Sequence, residues 1–120
     1  MDELLRAYNA RDMEALLALF HPSAEWHTTP EFLWPGPYRG RIALRELFTH
    51  WFEGWEEGEA VAEETAEAGD VVMLCARMSG RSAGSGEPVE LRLHWVLHVR
   101  SGLIDVVRSF HDCDEARAAL

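Results

Sequence analysis

Lysine and glutamine are absent from this chain, and Asn9 is its only asparagine. All 11 basic residues are therefore arginines, which reads as a compositional bias rather than a mechanism. They stand against 21 acidic residues, for a formal net charge of −10. Such a surplus opposes association with nucleic acid or anionic lipid, so neither is expected as a partner. No apolar run reaches the ~18 residues of a membrane-spanning helix. The opening stretch MDELLRAYNARD has neither a basic n-region nor an apolar h-region, so a cytoplasmic protein is expected. Cysteine is scarce as well. Cys75 and Cys113 have no CxxC spacing and belong to no Cys/His cluster, and they read as two buried or inert thiols.

What is present points to one packed domain over residues 1–120. A chain of this length buries roughly two-thirds of its unfolded surface, enough to dispense with a disulfide or metal staple. The hydrophobic fraction is 48%, and five Trp with five Phe supply bulk for a core and for a lined cavity.

The pattern along the chain changes period several times. Asp2 caps a first helix with Leu4, Leu5 and Tyr8 on one face. After Asn9-Ala10-Arg11, Asp12 caps a second, with Met13, Leu16, Leu17 and Phe20 at i, i+3, i+4 and i+7. His21-Pro22 ends it. Ser23 to Thr28 reads as a short strand with Trp26 and Thr28 on one face and His27 on the other. Thr29 to Gly40 is rich in proline and aromatic residues (Phe32, Trp34, Tyr38) and is expected to fold back as a lid. A third helix, Arg41 to Trp55, carries the apolar stripe Leu44, Leu47, Phe48, Trp51, Phe52 and Trp55. Strands are then expected at Ala60 to Ala68, Val71 to Gly80, Val89 to Arg100 and Leu103 to about Phe110. A short helix capped by Asp114 follows them. The strand from Val71 is apolar on both faces, so both must be covered. One set of helices covers one face, and a homodimer through the outer face of the sheet is expected to cover the other. The order α-α-β-α-β-β-β-β with a short C-terminal helix makes the fold class α+β.

Several segments together carry a resemblance: Tyr8-Asn9-Ala10-Arg11-Asp12, Leu19-Phe20-His21-Pro22 leading into Ala24-Glu25-Trp26-His27, Gly36-Pro37-Tyr38-Arg39-Gly40, Gly69-Asp70-Val71-Val72, and Gly102-Leu103-Ile104 running to Phe110-His111-Asp112. In order and spacing the chain resembles the SnoaL-like polyketide cyclase family, within the nuclear-transport-factor-2-like and ketosteroid-isomerase-like superfamily. The resemblance implies a cone-shaped, curved mixed sheet wrapped around the N-terminal helices, enclosing an apolar pocket. It also implies a cofactor-free enzyme acting by proton transfer on an apolar or aromatic carbonyl compound. The alternative is a non-catalytic ligand-binding or dimerisation module of the same fold, because a fold does not dictate chemistry.

By that resemblance Asp112 matches the acid/base of the cyclase-like members. Strand parity places it with Ile104, Val106, Arg108 and Phe110 on the inner face, where desolvation would raise its pKa. The competing roles are a helix cap or a partner for Arg108. The ketosteroid isomerase triad maps onto Leu4, Thr28 and Trp95, none of which transfers protons, so that activity is not carried over. Trp26, Thr28, Tyr38, Trp95 and Phe110 are the expected pocket lining, with His27 as a further polar group. His94 and His98 lie four apart on one outward strand face without a carboxylate, a poor metal site. No metal and no cofactor are expected.

Overall fold

The computed structural model describes residues 2–30 and 36–120. Its elements are α1 (Asp2–Asn9), α2 (Met13–Ala18), β1 (Phe20–His27), β2 (Tyr38–Arg39), α3 (Gly40–Glu53), β3 (Trp55–Ala68), β4 (Val71–Ser82), β5 (Pro88–Arg100), β6 (Leu103–Phe110) and α4 (Cys113–Ala118). The strands form one mixed sheet in the order β2-β1-β6-β5-β4-β3. Only the β1–β6 pair is parallel among the pairings of described residues. The α+β reading therefore holds, with a two-residue strand added inside the segment expected to be a lid. The rest of that expectation, including Phe32 and Trp34, lies outside the described residues.

Local chemistry explains the boundaries. Asp12 caps α2 by accepting a hydrogen bond from the Ala15 N–H at 3.1 Å. Arg11 takes a left-handed conformation (φ 52°) between the two helices. Its guanidinium donates to the carbonyls of Phe52 (3.3 Å) and Trp55 (3.0 Å) and lies over the Phe52 ring. The Asn9 amide accepts from the Ala60 N–H at 2.7 Å and donates to the Ala60 carbonyl at 3.0 Å. The Tyr8–Asp12 segment thus clamps the helix pair to the end of α3 and the start of β3. Pro22 lies within β1, where the β1–β6 register slips between Phe20 and Glu25, as suits a residue that cannot donate to the ladder.

The concave face carries the main core. Leu4, Leu16, Leu17, Leu44, Leu47 and Phe48 of the helices pack against Phe20, Leu74, Ala76, Met78, Trp95, Leu97, Ile104 and Val107 of the sheet. The α3 stripe is confirmed as core in Leu44, Leu47 and Phe48, with Trp51 and Phe52 partly buried. Trp55 opens β3 instead of closing the helix and is buried there. The edge strand β3 carries Glu56, Glu57, Glu59, Glu63, Glu64 and Glu67, a charged rim that discourages pairing with other chains.

Two features of the convex face go beyond the sequence pattern. Met73, Cys75 and Val96 form a second apolar cluster, and Ala116 of α4 covers it together with Phe110, Cys113 and Leu120. The chain's own C-terminal helix thus covers part of the outer face. Cys75 and Cys113 are not separate thiols: they form a disulfide across a sequence separation of 38. Their distance along the chain hid the pairing, which arises because α4 folds back onto β4.

Candidate functional site

Between the helices and the concave face lies a cavity of about 460 Å³. α1 contributes Leu4, Leu5 and Tyr8, α2 Leu16, and α3 Leu47, Phe48 and Trp51. From the sheet side come Trp26, Thr28, Thr29, Met78, Arg92, Leu93, His94, Trp95, Ser109, Phe110 and His111. Trp26 stands edge-on to Phe48 (centroids 5.5 Å apart) and to Trp95 (5.7 Å), which gives the wall a fixed aromatic corner. Polar groups are few. Tyr8 accepts a hydrogen bond from the Trp51 indole N–H. Burial raises the Tyr8 pKa, outweighing the opposing effects of that bond and of the Arg11 charge, so the phenol keeps its proton at neutral pH. The Thr28 hydroxyl accepts from the Gly36 N–H at 3.0 Å.

Of the residues read from the sequence as pocket lining, Trp26, Thr28, Trp95 and Phe110 border the cavity. Tyr38 packs on the core from β2, opposite Trp26, and is not among the lining residues described. His27 lies opposite Arg108 on the convex side, with Nε2 3.4 Å from a Glu25 carboxylate oxygen, so it is no pocket group. Leu4, Thr28 and Trp95, the positions onto which the ketosteroid isomerase triad maps, all face the cavity.

The largest difference concerns Asp112. In the β5–β6 ladder, Arg100 and Val99 pair with Leu103 and Ile104, but His98 pairs with Val106. Asp105 is thus an extra residue, and a one-residue bulge reverses which face each later side chain takes. Ile104 belongs to the inner core, and so does Val107. Past the bulge, Ser109 pairs with inward-facing Trp95, while Phe110 pairs with His94 and packs on the outer cluster. Asp112 is exposed, and its carboxylate caps α4 by accepting the Glu115 N–H at 2.8 Å. Strand parity alone had placed it inside; the bulge places Ser109 and His111 on the cavity instead. Nothing in the local sequence announces a bulge at Asp105 except a polar residue in an apolar strand. Its carboxylate is held by Arg100 through bonds of 3.2 Å to each oxygen.

A curved mixed sheet closed over helices around an apolar cavity defines an α+β cone. A profile of the SnoaL-like domain matches residues 1–107, and the chain belongs to that family. No curated protein matches the chain. Among solved structures, an NTF2-like protein of unknown function from Burkholderia pseudomallei superposes with a TM-score of 0.81 at 18% identity, covering 95% of this chain and 88% of that one. A putative polyketide cyclase from Sinorhizobium meliloti gives 0.72 at 18% identity, with 91% of each chain covered. A Mycobacterium tuberculosis protein in complex with estradiol-17β-hemisuccinate gives 0.76 at 20% identity, covering 94% and 91%. Among the described residues, no helix is long and apolar enough to cross a membrane.

Proposed function

We propose that this protein binds a small, largely apolar aromatic or polycyclic compound in the cavity of the cone. The observation that carries the reading is the cavity itself: about 460 Å³ left open inside an otherwise packed core, walled by Trp26, Phe48, Trp51 and Trp95. That volume lies within the ~300–1,000 Å³ of small-molecule sites. The complex of the Mycobacterium tuberculosis relative with a steroid ester supports a ligand of that size. The engagement of Asp112 as a helix cap speaks against it as the acid/base of an enzyme.

Three tryptophans line the cavity, so occupancy is readable in intrinsic fluorescence. Titration with estradiol-17β-hemisuccinate should quench the emission saturably, and Leu93→Phe, which fills the space, should weaken the binding at least tenfold. Unsaturable quenching, or equal affinity in the filled variant, would refute the reading.

A further inference from the structure

The Cys75–Cys113 bridge joins the convex face of the sheet to the wall of the cavity. Cys75 is buried in β4 beside Met73 and Val96, whereas Cys113 opens α4 and is partly exposed. Phe110 and His111, just ahead of Cys113 in the chain, border the cavity, and Phe110 also packs on the outer cluster. The helix α4 has six residues, too few to hold a helix in isolation. Beside the bridge, its anchors include the buried Ala116 and the ion pair of Arg117 with Glu64. That pair lies half in water, where such contacts add little. The bridge is therefore the covalent tie that fixes α4, and with it the stretch of wall at Phe110 and His111.

We propose that this bridge is a reversible thiol–disulfide exchange site for an external dithiol, and that its oxidation state sets the ligand affinity of the cavity. The regulation rests on the binding reading above. Access selects the sulfur that is attacked, because Cys75 is 5% exposed and Cys113 is the more open partner. The Arg117 guanidinium, with Nη2 3.9 Å from Cys113 Sγ, puts a cation beside that sulfur and favours its thiolate. A thiolate of the dithiol bonds to Cys113, the S–S bond breaks, and Cys75 leaves as a thiolate that takes up a proton. The second thiolate of the dithiol then displaces Cys113, which leaves as a thiolate beside Arg117. The dithiol ends as its own disulfide, having given up two electrons, and both cysteines are reduced. Freed from β4, α4 frays, and Phe110 and His111 lose the support behind them. Ligand binding must then order this stretch of wall again, which weakens it about tenfold, as for one or two side chains immobilised. By linkage, bound ligand disfavours reduction by the same factor.

The test titrates estradiol-17β-hemisuccinate against the protein by tryptophan quenching, with and without dithiothreitol, while a chromogenic disulfide reagent counts free thiols. The protein oxidised with diamide should show no free thiol, and dithiothreitol should release both cysteines without denaturant. The quenching constant should then weaken about tenfold and recover on reoxidation. Cys113→Ser should bind as the reduced protein does and ignore dithiothreitol. Saturating ligand should raise about tenfold the ratio of reduced to oxidised dithiothreitol at half-reduction. Hydrogen exchange tells a switch from a mere staple: the reduced protein should keep protection in β3, β4 and β5 and lose it from Phe110 to Ala118. Free thiols after oxidation, a bridge that resists dithiothreitol, protection lost throughout the sheet, or equal affinity in both states overturns the proposal and leaves the binding reading standing. No quenching of the oxidised protein ends both.

Discussion

Replacing Phe48 by Ala tests whether the α3 stripe is the keystone between helix layer and sheet. The ring is 7% exposed and meets Phe20 and Trp26 at centroid distances of 5.7 and 5.5 Å. Burying a Phe side chain is worth about 1.5–3 kcal/mol. Two aromatic contacts add about 0.5–1.5 kcal/mol each. The sum brackets the ~3–5 kcal/mol usually lost in Phe→Ala core substitutions. One side of this ring borders an existing cavity, where it lacks partner atoms, so the low end applies and about 3 kcal/mol is expected. Against a whole-domain stability of about 5–15 kcal/mol, that is a large fraction. Urea denaturation followed by tryptophan fluorescence should show a lower midpoint at unchanged slope. The enlarged cavity should also bind its ligand less tightly. A loss below about 1 kcal/mol would show that the stripe is not core and refute the packing argument.

Reduction of the Cys75–Cys113 bridge, or Cys113→Ser, should cost about 3–4 kcal/mol on the chain-entropy estimate for its separation of 38 residues. Hydrogen exchange should then show α4 losing protection first, and an unfolding midpoint insensitive to reductant would contradict this. Asp112→Ala should remove about 1 kcal/mol as a lost N-cap, while Asp112→Asn should be nearly neutral. Equal losses in the two variants would exclude the capping role. Arg100 holds the Asp105 carboxyl below its ordinary pKa, chiefly through their hydrogen bonds. Because the folded-state value is the lower one, the pair's contribution is complete above about pH 4 and fades as pH falls through the folded-state pKa. NMR titration placing Asp105 at or above the ordinary aspartate value would contradict the pairing.

Periods in the sequence were enough for most elements. Leu44, Leu47 and Phe48 repeat at helical spacing, and the side of α3 that they mark is the buried one. The alternation of Leu93, Trp95 and Leu97 placed their face of β5 against the core, because a strand half in water must alternate. The two apolar faces of β4 correctly required two covers. Trp26, Thr28, Trp95 and Phe110 were legible as cavity residues, although register sends the Phe110 ring toward the outer cluster.

The remainder depended on contacts between distant segments. A bulge is a relation between two strands, so Asp105 could not be recognised as an extra residue until β6 was paired with β5. That single residue moved Asp112 out of the site and brought His111 in. The Cys75–Cys113 bridge and the cover of Met73 by α4 likewise need the chain to return on itself. The sequence by itself determined which residues are apolar, at what period, and hence the α+β class, because those are local properties of the chain; the cone was what the family resemblance implied. Which face each side chain takes beyond the bulge, and what covers the convex side, only the tertiary structure decided, because both depend on register and on packing between segments far apart in sequence.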